Sequence, residues 1–405
     1  YDLKYTIFFQ NLLNTFVKDE LVYKLESLDT GDMIIDTTPV PKREHLDIDV
    51  PIKQDIRIEI NETHKYKLTV TFLNTAYDQS SNRDAEYYMT LGFTPSNKNK
   101  VQLLDAYSRD TDPLFSEEAT TDEGIYSMED DYGTSYYYRG DVKNNYVKFA
   151  GFYWRIVRLN GDGTLRIIYD GTQAHENGEN SLDRTVLNNV AWNELEGDAK
   201  YSGYMFGASN PSANYTDATT NAENSNIKNV LDAWYKENIE DRGFGVFVAD
   251  AIFCNDRSLD NGSGFGNTPT RFGGFKRLRE NANPSFTCPN KSDAFTVSDT
   301  TKGNVSLEYP VGLLTGDEAM AAGLGAYNTG STKNYLYKGS WYWTMTPDSY
   351  ADGKTYSFYI NGGDIAKLKA EDSLSKGAVA PVINLTKEYA KTLKGTGTMT
   401  DPFTA

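Results

Sequence analysis

The 405-residue sequence offers few side chains for covalent or proton-transfer chemistry, and their spacing narrows the choice further. Its two cysteines, Cys254 and Cys288, lie 34 positions apart, within Ile252-Phe-Cys-Asn-Asp-Arg257 and Ser285-Phe-Thr-Cys-Pro289. An even pair in an exported chain reads first as a disulfide. Closing a loop of that length would stabilise the fold by about 3–4 kcal/mol if the effect is entropic. The segment inside it is loop-like and rich in glycine (Asn261-Gly-Ser-Gly-Phe-Gly266), so a staple there makes physical sense. The three histidines, His45, His64 and His175, stand in unrelated contexts, with no His-x-x-x-His or Glu-x-x-His spacing. They read as lone surface histidines. The members of a nucleophile–His–acid triad can be far apart in sequence, but nothing here marks one. Carboxylates are so plentiful that glycosidase-like pairs would arise by chance. No catalytic residue is assigned, and the chain is not read as an enzyme.

Two softer possibilities concern binding. Asp/Asn-Gly stretches supply hard oxygen ligands in turns, and Asp256, Asp260 and Asn261 are the candidates for a Ca2+ ion, although none of these stretches has EF-hand spacing. Turn formation alone accounts for Asn160-Gly-Asp-Gly163. No other cofactor is expected. The aromatic run Trp341, Tyr342, Trp343, Tyr350 and Tyr356 admits two readings. Alternate members pack a core, or Trp341, Trp343, Tyr350 and Tyr356 form a platform for sugars or a protein partner beside the loop at 348–354.

These residues need elements to position them. The pattern at the N-terminus alternates, with Leu3, Tyr5, Ile7 and Phe9 on one face, and predicts a strand. Beyond Phe9, Leu12, Leu13, Phe16, Val17 and Leu21 recur every three to four residues and predict an amphipathic helix within 8–25. This opening segment either packs on its own domain or donates Leu3, Tyr5, Ile7 and Phe9 to the open sheet edge of a neighbouring copy. A first residue other than Met is what removal of a leader would leave.

Residues 30–95 read as antiparallel strands, with 56–60 and 66–72 joined as a hairpin by the turn at 61–64. A small β-sandwich is the natural architecture. An acidic connector follows. From residue 136 the strongest hairpin signal joins Trp154-Arg-Ile-Val-Arg-Leu159 to Leu165-Arg-Ile-Ile-Tyr169 across Asn160–Gly163. A helix is predicted over 227–239, capped by Ser225, with Ile227, Val230, Leu231, Trp234 and Tyr235 as its apolar stripe. The tail from Gly395 is rich in Gly and Thr and predicts an extended, exposed segment turning at Asp401-Pro402.

Several of these stretches occur in a recognisable order: Tyr136-Tyr-Tyr-Arg-Gly140, the run from Asn144 to Val157, Tyr309-Pro-Val-Gly-Leu-Leu-Thr-Gly-Asp-Glu318, Tyr342-Trp-Thr-Met-Thr-Pro347 and Ala380-Pro-Val-Ile-Asn-Leu385. The set resembles a large family of secreted or cell-anchored surface proteins of Gram-positive gut bacteria. Their C-terminal domain is similar to the C-type-lectin-like fold of the formylglycine-generating-enzyme superfamily. The resemblance covers roughly 136–405 and implies a fold and an extracellular location, without an activity. The copper-binding thiol pair of the formylglycine-generating enzymes is not expected here, because Cys254 and Cys288 lie outside the matching positions.

The fold expected is mainly β with α+β character. Its parts are an N-terminal strand/helix segment (1–29), a β-sandwich (30–105), an acidic connector (106–135), a C-type-lectin-like α+β domain (136–390) and an extended tail (391–405). The net charge of −17 argues against nucleic acid, which needs clustered Lys and Arg. No apolar run approaches the roughly 20 residues that span a bilayer. The function expected is that of an extracellular structural or adhesive surface protein, a pilus-like filament subunit that self-assembles into a homopolymer. The rival is a lectin-like receptor for a glycan or a cell-surface partner.

Overall fold

The structure is a computed structural model and describes residues 3–42, 50–59, 62–75, 78–95, 109, 112–325, 330–362 and 367–405. It is mainly β and divides into two compact units, residues 1–100 and 101–404.

Among the described residues the first unit contains six strands: β1 (Leu3–Asn14), β2 (Leu21–Ser27), β3 (Met33–Pro39), β4 (Val50–Ile58), β5 (Tyr66–Phe72) and β6 (Tyr87–Pro95). They form two antiparallel sheets in the orders β4-β1-β6 and β3-β2-β5. Phe9 and Leu12 of β1 meet Leu21 and Tyr23 of β2 in one apolar cluster, which Val40 and Leu91 help to close.

Two expectations fail here. No helix forms within 8–25, where β1 continues to Asn14 and β2 begins at Leu21. The pairing of β1 with β6 slips between Gln10 and Leu13. A bulge of this kind exchanges the two faces of a strand. Ile7 and Phe9 point inward before it, Leu12 and Asn14 after it, and the three-residue step from 9 to 12 imitates a helical repeat. Nor do 56–60 and 66–72 pair as a hairpin. β4 pairs with β1 (Tyr5 opposite Ile56), whereas β5 pairs with β2 (Leu25 opposite Leu68), so the link crosses between sheets. Alternation specifies a face of a strand but not its partner. Ile60 of the expected strand and Asn61 of the expected turn lie outside the described residues.

The second unit holds a six-stranded sheet built from β7 (Asp122–Asp130), β8 (Gly133–Gly140), β9 (Tyr146–Phe149), β10 (Phe152–Leu159), β11 (Leu165–Gly171) and the strand Val382–Leu385. The β10–β11 hairpin forms where expected. A second, seven-stranded sheet is centred on Tyr342–Ala351, with Lys354–Asn361 antiparallel to it and Lys376–Val379 parallel to it. The helix Asn226–Tyr235 starts at Ser225, whose hydroxyl accepts the Lys228 amide, and buries Ile227, Leu231 and Tyr235. Trp154, Trp192 and Trp343 are fully buried in the same core.

The ends of this unit also depart from expectation. Much of the expected acidic connector is the β7–β8 hairpin at the sheet edge, because Arg139 pairs with Glu123 (2.8 Å) and Arg158 with Asp130 (2.7 Å). Residues 106–108, 110 and 111 of the connector lie outside the described residues. The tail is not exposed either. Phe403 is buried, its carbonyl accepts the Lys148 amide (2.9 Å), and its amide donates to the Tyr146 carbonyl (2.9 Å). Gly395 (φ +108°) and Gly397 (φ +72°) supply the left-handed backbone that folds the tail against β9, and its turn falls at Thr398–Asp401.

Candidate functional site

Cys254 and Cys288 are bonded (S–S 2.09 Å, Cα–Cα 5.6 Å). Cys254 belongs to the short strand Phe253–Cys254, which pairs with Ala294–Phe295. Beside the disulfide, in the second unit, lies a cleft of about 510 Å³ including its open mouth. Its deep part has room for about one or two waters. Its walls come from the end of β7, the β10–β11 hairpin, the chain before Cys288 and the helix Gly316–Ala321.

The walls are held by ion pairs. Arg158 on β10 bridges Asp130 (2.7 Å) and Glu318 (2.9 Å). Arg166 on β11 meets the same Glu318 oxygen at 2.5 Å. Arg277 clamps Asp317 through two nitrogens at 3.0 Å and reaches Asp256 at 2.5 Å. Glu318 also completes a capping box with Thr315. Burial pushes the Glu318 carboxyl up, but Arg166 and Arg158 outweigh it and hold it below the usual range. Burial pushes Arg166 down to about 10 despite Glu318. Asp131 differs, because burial raises its carboxyl and the Cys288 amide only partly opposes that.

A second buried charge cluster lies on the other end of β11. The Asp170 carboxylate accepts from Arg184 (2.8 and 3.0 Å) and Lys338 (2.8 Å), with Arg155 at 3.7 Å, and all four side chains are fully buried. Nearby His175 is buried between Glu179 (2.8 Å) and Asp183 (2.9 Å), so the reading of a surface histidine is corrected. His64 is part-buried and bonds the Tyr5 hydroxyl at 2.6 Å. His45 lies outside the described residues.

The Ca2+ candidates do not converge. Asp256 is engaged by Arg277, Asp260 pairs with Lys276 at 3.3 Å, and Asn261 is exposed on the strand Leu259–Asn261. Among the described residues no group of three or more His, Cys, Asp and Glu side chains is placed to hold a metal ion. The aromatic platform also fails. Trp343 and Tyr350 are buried, and half-buried Trp341 packs edge-on against Trp343 (5.1 Å) and Tyr359 (5.0 Å). Only Tyr356 and Trp341 keep some exposure, because both faces of Tyr342–Ala351 are covered. In the first unit Ile7 and Phe9 are fully buried, Tyr5 is half-buried, and the Leu3 backbone pairs with Ile58. All four candidates for assembly therefore lie on one strand in its own chain.

The charged walls of the cleft were not foreseen. The available signal was the pair Arg158 and Arg166 inside strands that otherwise read as core, since a buried guanidinium requires a carboxylate opposite. Compared with known families, curated proteins and solved structures, the chain matches none. No helix among the described residues is long and apolar enough to cross a membrane.

Proposed function

We propose that the chain is an extracellular structural subunit that assembles by exchanging β1 between copies. The observation that carries this reading is the position of β1. It lies in the middle of its sheet, hydrogen-bonded to β4 on one side and β6 on the other. Withdrawing it would leave two open sheet edges around a groove that Ile7, Phe9 and Leu12 fill. A second copy's β1 satisfies that groove with the same contacts, so the exchange costs little beyond opening the link at residues 15–20. The Cys254–Cys288 disulfide supports an oxidising location.

The register offers a direct test. Lys4 and Arg57 stand opposite each other across β1 and β4. In the Lys4→Cys/Arg57→Cys variant, oxidation of closed monomers gives only intramolecular bonds. Oxidation of an exchanged assembly gives covalent dimers and longer ladders on non-reducing gels. Ladders that grow with protein concentration support the proposal. Purely intramolecular bonding at every concentration refutes it.

A further inference from the structure

The cleft beside the disulfide contains an imbalance that its ion pairs leave open. Five carboxylates line it (Asp130, Asp131, Asp256, Asp317, Glu318) against three guanidiniums (Arg158, Arg166, Arg277), a formal charge of −2. Four of the five carboxylates are engaged by those arginines. Asp131 is not. Its two oxygens accept only the Cys288 amide, at 3.0 and 3.3 Å, and among the described residues no cation lies within ion-pair distance of it. Lys302 gives its ammonium to the Asp131 backbone carbonyl and lies over the Tyr132 ring at 4.7 Å.

Asn160 supplies an independent observation. It lines the cleft, is only 3% exposed, and among the described residues its Oδ1 has no hydrogen-bond partner. The orientation of its amide is fixed by its neighbour. The Thr164 hydroxyl donates to Asp162 (2.7 Å) and must therefore accept from Asn160 Nδ2 (2.8 Å). A buried carbonyl oxygen left unpaired is destabilising, so a donor is wanted there.

We propose that this cleft binds a primary ammonium group, held by the Asp131 carboxylate and Asn160 Oδ1. An ammonium brings three donors and a positive charge, which match an unpaired acceptor and a carboxylate without an ion-pair partner in a net-negative cleft. It is about the size of the water that the deep part admits, whereas a planar guanidinium or a quaternary ammonium is too large. The head group arrives either on a lysine side chain or as a free amino terminus.

Saturation-transfer NMR on the full-length protein tests this with methylammonium, tetramethylammonium, N-acetyl-lysine amide and glycinamide, each as the chloride. Methylammonium is expected to bind the native protein, to bind Asp131→Asn at least tenfold more weakly, and tetramethylammonium is expected not to bind. Binding of N-acetyl-lysine amide identifies a side-chain source, and binding of glycinamide an amino-terminal one. Equal binding of methylammonium and tetramethylammonium, equal binding by Asp131→Asn, or no binding of methylammonium overturns the proposal. Should Asp131→Asn not fold, the contrast between the two ammonium ions on the native protein decides alone.

Discussion

Lys338 is fully buried, and its ammonium donates to the Tyr169 carbonyl (2.7 Å) and to Asp170 (2.8 Å). It shares that one carboxylate with Arg184 and Arg155. Burial pushes the lysine down to about 8, Asp170 opposes this, and the two arginines add to it. In the unfolded chain the same lysine keeps its proton to about 10.5. Below pH 8 both states are protonated and the lysine adds no pH dependence. Between pH 8 and 10.5 the unfolded state holds more protons on this lysine, so the lysine's contribution to stability rises with pH. The slope approaches 1.36 kcal/mol per unit, which gives a gain of about 2 kcal/mol between pH 7 and 9.5. Above pH 10 the trend reverses, because burial raises tyrosines such as Tyr204 and Tyr342 and the unfolded state loses those protons first. All five tryptophans lie at 154–343, so fluorescence-detected urea unfolding reports the second unit alone. Lys338→Met should abolish the rise. A native protein whose stability is flat from pH 8 to 9.5, or a Lys338→Met variant that keeps the full rise, refutes the reasoning. The native slope can be judged even if the variant does not fold.

Two further outcomes use the same assay. Replacing both Cys254 and Cys288 with alanine should lower the stability of the second unit by about 3–4 kcal/mol, read as a lower urea midpoint. Arg158→Met should cost about 3–5 kcal/mol at pH 7, because it leaves Asp130 without its guanidinium and Glu318 with Arg166 alone. A loss below 1 kcal/mol would mean that water replaces the arginine in the cleft.

How far the fold could be read in the sequence depended on the range of the interactions. The Trp154–Leu159 and Leu165–Tyr169 strands and the Ser225-capped helix are specified by neighbours a few residues away, and both formed as expected. The strand β1 shows the limit of that reasoning. One bulge after Gln10 shifted its inward face and produced a spacing that belongs equally to a helix. The acidic residues at 122–131 looked like a linker because their partners are distant in sequence, as Asp130 is from Arg158. Trp343 and Tyr350 looked like a binding surface because composition does not reveal that a strand is covered on both faces. The cysteine pair was legible because only two thiols were present to pair. The cleft beside it depends on tertiary placement of Asp131 and Asn160, which no local pattern encodes.

The disulfide also sets how far the chain can be stretched. A domain pulled from its ends lengthens as it unravels. The 34 residues of separation between Cys254 and Cys288 are withheld from that extension while the bond is intact. At 3.3–3.6 Å per residue this is roughly 115 Å of slack that a pulled second unit cannot release. Its paid-out length is therefore governed by redox state as well as by force.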